Sequence, residues 1–268
     1  MADRPTMEAM RKFADARLRN NPTEAKKIIN AGMRDLIAWW YDFVERHPDY
    51  THTDDLQYPD QQSLAELQQA MADEAVRYTQ PANNDELIAL AAFVYAFKIG
   101  SKLVKYSDRY LSDEARKIVE KTFKEYSSVS KGSISDLVDG TINNVRWSDR
   151  IWSSMDALQS DVRAIMKQAL LANDSPVTQT KYIRDKFKAT YNQARRLLMT
   201  ESARIMAEEN IRAAEDAGYT RLKWVANTGA CRICAPLDGK TYSLRDADGM
   251  QPRHPYCMCS WVPTDEKQ

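Results

Sequence analysis

Four cysteines occur in this chain of 268 residues, and all of them fall near its end: Cys231 with Cys234, then Cys257 with Cys259. A C-x-x-C turn presents two thiolates to one point, and a second pair about 20 residues on can complete a tetrahedral metal site. His254, one of only 3 histidines, stands beside the second pair. Five candidate ligands therefore compete for four positions: Cys231, Cys234, His254, Cys257 and Cys259. Spacing leaves the last place open between His254 and Cys259. If Cys257 and Cys259 lie on an extended strand, they share a face, which favours four cysteines with His254 behind them. Sulfur with at most one imidazole favours zinc over magnesium or calcium. Two disulfides would suit an oxidising compartment, and a redox C-x-x-C a thioredoxin-like βαβ unit; neither context surrounds these residues. A closed, sulfur-rich site leaves no position for a reactive water. The expected zinc is thus a structural staple for a module too small to hold its own core.

The rest of the chain reads as helix. Glycine is scarce, 8 in all, which argues against a phosphate-cradling glycine loop or a turn-dense β-sandwich. Met33, Leu36, Ile37, Trp40 and Val44 follow the 3, 4 spacing of one helical face, and His47-Pro48 ends that helix. Ser63 with Glu66 predicts a capping box opening a helix to about Arg77. A further helix is expected from Asn84-Asp85 to about Tyr106, and another over Ser112 to Tyr126. The apolar run Leu87 to Phe97 is shorter than the roughly 20 residues that cross a bilayer, so it reads as a core helix, with no membrane contact. The N-terminus lacks the apolar core of a secretory signal, so a cytoplasm-like compartment is expected.

Small polar residues over Ser127 to Gly132 mark the expected boundary between a helical N-terminal domain, 1–130, and a second region, 131–268. Helices are expected over Ile134 to Val145 and Ser153 to Leu171. A short one should start at Thr178 or Thr180, and the longest runs from about Lys188 to Ala217, closing at Gly218. Then the period changes. Tyr219 to Val225 alternates as a strand does, and Lys240 to Leu244 and Cys259 to Val262 are candidate second and third strands. The expected fold is mainly α: helical N-terminal and middle regions, a long helix, and a small zinc-stapled α+β C-terminal module with its core at about 176–263.

Charge is balanced, 38 Lys plus Arg against 38 Asp plus Glu. That excludes a uniformly polycationic nucleic-acid coat but not a local basic face. Lys181, Arg184, Lys186, Lys188, Arg195 and Arg196 form such a cluster, able to neutralise phosphates of double-stranded DNA without reading sequence; a solvated helix face is the plainer alternative. Trp39, Trp40, Trp147 and Trp152 are either partner contacts or core. Glu201 falls on the stripe Phe187, Tyr191, Ala194, Leu198 and Ile205. A carboxylate there must be paired, holding the helix to the metal module, unless the helix turns it to solvent.

The C-terminal residues resemble a known family. Thr200-Glu201 in a long helix, Gly218-Tyr219, Lys223-Trp224 and Cys231-x-x-Cys234 begin the pattern. Leu237-Asp238-Gly239-Lys240 and His254-Pro-x-Cys257-x-Cys259 complete it. Together they look like the phage Mu protein F-like family of head morphogenesis, or minor head, proteins. Trp147 to Trp152 is similar to the segment preceding that module in minor capsid proteins, and the resemblance spans about 145–263. It implies structural weight for Thr200, Glu201, Trp224, Asp238 and Gly239. It also implies a non-enzymatic virion protein in the head interior or at the portal vertex, present in the host cytoplasm during assembly. Its implied partners are the portal protein, the major capsid protein and packaged DNA. Family members usually carry Arg-Thr-Glu where this chain has Met199-Thr200-Glu201, so that arginine's role is either missing or supplied by a neighbour such as Arg195, Arg196 or Arg204. A zinc-dependent nuclease or toxin-like effector on the same module is the alternative; no Ser-His-Asp set, phosphate loop or carboxylate pair supports it.

Overall fold

Long apolar stripes with few breakers make long helices, and the computed structural model is 69% helix. It describes residues 6–18, 21–72, 74, 76–126, 133–172 and 176–265. In chain order, the described residues form α1 (Met7–Leu18), α2 (Thr23–Arg46), α3 (Gln61–Met71), α4 (Asn84–Tyr126), α5 (Ile134–Asp139), α6 (Trp147–Leu171) and α7 (Pro176–Asp216). A three-stranded antiparallel sheet follows, β1 (Arg221–Val225), β2 (Thr241–Ser243) and β3 (Ser260–Thr264), with α8 (Leu244–Ala247) after β2. β1 is central, in the order β2-β1-β3.

Several boundaries differ from the sequence expectation, each for a local reason. Asp60, not Ser63, caps α3: its carboxylate accepts from the Ser63 N–H at 2.6 Å. α4 runs unbroken where two helices were expected, because exposed Asp108 and Arg109 are merely its polar face and nothing there breaks a helix. α5 stops at Asp139, since Gly140 leaves helical geometry and Ile142 and Val145 form an isolated bridge. The short helix and the long one expected after Pro176 are one helix, α7. Its end matches expectation. Gly218 is left-handed, φ 81°, and Tyr219 N–H reaches back to Ala214 O at 2.9 Å, closing a Schellman-type turn. The boundary expected at Ser127 to Gly132 lies outside the described residues.

Two compact units emerge, each discontinuous in sequence, whereas a contiguous division into 1–130 and 131–268 was the expectation. One contains Thr23–Lys105 and Arg150–Ala194. Here Trp39, Trp40 and Phe43 are buried with stacked rings, so both tryptophans are core residues and not free contacts. Trp152 stacks on Phe97 at 5.3 Å. Gly32 lies against Ile99, and Gly100 against Trp152, leaving no room for a side chain at either glycine. α4 is long and apolar enough to cross a membrane by length and composition, although 61% of its apolar window is buried inside the protein.

The other unit contains Met1–Pro22, Tyr106–Asp149 and Arg195–Gln268. α1 packs on the sheet through Met10, which meets Val225 and Val262. Arg17, buried at the other end of α1, bonds Glu114 on α4 at 3.2 Å and Ser202 O on α7 at 3.1 Å. Trp147 is buried in this unit. The sheet core gathers Leu222, Trp224 and Trp261 with Ala207, Ala213 and Ala214 of α7. Cys234, Cys257 and Cys259 belong to that same cluster.

Candidate metal centre

The first thiol pair sits on a tight turn. Cys234 and Ala235 N–H both donate to Cys231 O, at 3.0 and 2.9 Å, which turns the two sulfurs to one side. A short 3-10 turn, Ala235–Leu237, carries the chain to Asp238 and to Gly239, left-handed at φ 77°. Gly239 N–H then donates to Trp224 O, and Trp224 N–H to Lys240 O, locking this loop to β1. Asp238 adds a second tie, accepting from Ala226 N–H at 2.8 Å and pairing with Arg11 of α1. The structural weight implied for Trp224, Asp238 and Gly239 thus has a geometry: they fasten the first ligand turn to the sheet.

The second ligand turn is built differently from the strand that spacing allowed. Cys257 to Cys259 precede β3 and are all buried. Cys257 N–H donates to His254 O at 3.0 Å, closing a turn that brings imidazole and thiol round together. His254 Nδ1 lies 2.8 Å from Pro255 O. With that nitrogen donating, Nε2 keeps its lone pair for a metal. It points at the first pair, 3.1 Å from Cys231 Sγ and 3.3 Å from Cys234 Sγ. His254 Nε2 thus stands among the sulfurs as a candidate donor. Cys234 Sγ lies 3.8 Å from Cys257 Sγ, and Cys259 Sγ lies 3.7 Å from Asn227 Oδ1.

All four cysteines are free thiols. The donors form two groups, Cys231 with Cys234 and His254, and Cys234 with Cys257 and Cys259, each within 4.8 Å. Cys234 belongs to both. A tetrahedral ion with sulfur ligands at about 2.3 Å and nitrogen at about 2.0 Å separates two sulfurs by about 3.8 Å and sulfur from nitrogen by about 3.6 Å. The Cys234–Cys257 spacing of 3.8 Å matches the sulfur edge, and the nitrogen–sulfur spacings of 3.1 and 3.3 Å are shorter than theirs. The cluster fits a metal ion.

Its protonation favours the same use. A hydrogen bond from Cys259 outweighs burial and holds the Cys257 thiol down to about 5. Backbone groups of Cys234 and Ile233 lower Cys231. Burial, then the neighbouring Cys257 charge, pushes Cys234 up to about 12, while the hydrogen bond to Cys257 and burial raise Cys259. Burial opposes the charged form of His254, but the Pro255 carbonyl and the charges of Cys257 and Cys231 raise it overall. The free cluster thus favours a thiolate at Cys257, and a bound cation would displace the protons that the raised thiols keep.

The other sequence candidates divide. Glu201 is sealed from solvent and pairs with Arg204 at 2.8 Å, so it is not solvated. Arg204 donates to Leu137 O at 2.7 Å, fastening α5 to α7. Thr200 makes a contact from α7 to the metal module. Its hydroxyl oxygen accepts the Tyr256 N–H at 3.2 Å, in the middle of the second ligand turn. Arg195 lies over the Tyr256 ring, 5.6 Å from its centre. Of the basic cluster, Lys181, Arg184 and Lys188 are exposed and share one face of α7 by their 3, 4 spacing, Lys186 pairs with Asp161 at 2.9 Å, and Arg196 is exposed.

Sequence reasoning did not find Arg11, Asn227 or Tyr256. Arg11 is 227 positions from Asp238, so no local pattern links them. Tyr256 left a faint trace as the variable position of His-Pro-x-Cys. No family model, curated protein or solved structure matches the chain.

Proposed function

We propose that Cys231, Cys234, His254 and Cys257 hold a structural zinc ion, with the Cys259 thiol hydrogen-bonded behind Cys257. We further propose that the chain is a non-enzymatic minor head protein of a tailed phage, acting in head morphogenesis at the portal vertex. One observation carries the metal reading: five Cys and His donors converge in two overlapping groups, each within 4.8 Å, at the edge of the sheet core. Zinc follows from the donors, since thiolates with one imidazole suit it and leave little Lewis acidity for hydrolysis. Such an ion supplies cross-linking in place of a larger core. The three strands are only 5, 3 and 5 residues long, too short to hold together on hydrogen bonds alone.

The head role rests on the motif resemblance, and the sulfur-rich donor set agrees with an architectural purpose. In this reading the portal protein is the main partner, the major capsid protein a second, and packaged DNA a sequence-independent contact through Lys181, Arg184 and Lys188. Two measurements test it. Purified protein is expected to carry one equivalent of zinc and, when co-expressed with a portal protein of the same phage, to co-purify with it. Metal-dependent DNA cleavage lost in Cys231→Ser without loss of fold would instead establish the effector. DNA contact predicts affinity that falls steeply with salt, and salt-independent binding would remove that part.

A further inference from the structure

Tyr256 separates the ligands His254 and Cys257 by backbone geometry that non-glycine residues rarely adopt: its φ is 62°. A left-handed tyrosine persists only where its surroundings over-determine it. Here they come from one stretch of α7. The Tyr256 N–H donates to Thr200 Oγ1 at 3.2 Å, and Arg195 lies over the aromatic ring. The Thr200 hydroxyl has its own proton committed, donating to Arg196 O at 2.7 Å one helical turn earlier. Its lone pair is thereby left for the Tyr256 amide. Both ends of the hydroxyl have fixed roles, and the helix holding it is anchored elsewhere by buried Glu201 and Arg204.

Resting on the metal reading above, we infer that Thr200 is a positioning residue for the metal centre. Its hydroxyl fixes the left-handed turn at Tyr256, and that turn swings His254 Nε2 and Cys257 Sγ to the side where Cys231 and Cys234 stand. Thr200 touches no metal. It acts through one backbone amide, as partners behind metal ligands do, and losing such a partner typically costs about 10- to 100-fold in metal affinity.

Thr200 is partly exposed, so its replacement leaves the helix core intact. Zinc affinity of the full chain is measured by competition with a chromogenic chelator, for wild type, Thr200→Val and Thr200→Ser. Valine keeps the shape and removes the acceptor; serine keeps the acceptor. The expected result is about a 10-fold or greater loss for valine, retained affinity for serine, and unchanged far-ultraviolet circular dichroism for both. The cobalt-substituted valine variant is also expected to show a weakened, shifted d–d spectrum. Equal affinity of wild type and Thr200→Val overturns the assignment while leaving the metal site standing. A wild-type chain that binds no zinc overturns the metal reading itself. Hydrogen exchange needs no variant: the Tyr256 amide is expected to be protected in the zinc-loaded protein, and exchange at the rate of an open amide also overturns the assignment.

Discussion

Arg204 Nε lies 2.8 Å from Glu201 Oε2, one helical turn away on α7, with both side chains removed from solvent. The arginine continues to the Leu137 carbonyl and to Glu208, so one guanidinium ties three points together. Gly140 leaves the space it occupies. Removing one member of such a pair strands the other charge in a dry interior. Arg204→Ala is expected to destabilise the protein by about 3–5 kcal/mol in chemical denaturation. Gly140→Ala, which drives a methyl into the guanidinium, is expected to cost about 1–3 kcal/mol. Unchanged midpoints in both would show that the pair contributes nothing.

The ligand assignment predicts unequal cysteines. Cys234 stands in both donor groups, while Cys259 touches Cys257 and Asn227. Cys234→Ser and His254→Ala are expected to abolish zinc binding, and Cys259→Ser to weaken it while keeping one equivalent. Metal analysis of the purified variants decides; a zinc-free Cys259→Ser beside a zinc-bound His254→Ala would restore the four-cysteine site.

Removing the metal should be visible in the tryptophans. Trp224 and Trp261 meet edge to face, 5.0 Å apart, in the cluster that contains Cys234, Cys257 and Cys259. Chelation is expected to red-shift their emission and lower the melting temperature, since ligand at about a thousandfold over Kd contributes about 4 kcal/mol. Emission and melting unaffected by chelator would separate the site from the fold.

Glu209 predicts a pH dependence. It is 1% exposed, one carboxylate oxygen lacks a hydrogen-bond partner, and burial raises it from 4.5 to about 7 against the pull of Arg212. The fold therefore favours the protonated form. This contribution to stability is full below pH 4.5 and is lost as pH rises toward 7, by up to about 3 kcal/mol. Glu209→Gln is expected to be the more stable protein at pH 8 and to flatten that slope. Parallel stability curves for the two proteins would exclude Glu209 as the source.

α1 covers the sheet through Met10 and Arg11, and Arg11 Nε donates to Ala226 O at 2.8 Å. Met10→Ala is expected to cost about 2–5 kcal/mol, and the module without α1 is expected to expose its apolar face and aggregate. A soluble, cooperatively melting fragment beginning at Arg195 would refute the dependence.

The helices were legible because their signal is local. The stripe ending at His47-Pro48 and the stop at Gly218 need only neighbours within a turn or two. The three strands were legible for the same reason. Less legible were joins and caps: α4 and α7 each continue through positions that read as breaks, because a polar patch and a helix end look alike until the packing is known. The site's members were legible from cysteine placement. Their ranks were not, since Cys257 and Cys259 precede β3 and do not lie on it, while the turn at Pro255 and Tyr256 brings His254 round to the first pair.

By itself the sequence determined what chemistry this chain carries: long helices, a small terminal sheet, and five soft donors in two clusters. Those properties follow from residue type and short-range periodicity. Tertiary structure alone decided that Arg204 reaches the Leu137 carbonyl, that Arg11 reaches Asp238 across 227 positions, and that the Thr200 hydroxyl meets the Tyr256 amide beside His254. Such pairings depend on which surfaces meet once apolar faces are buried, and no local spacing records that.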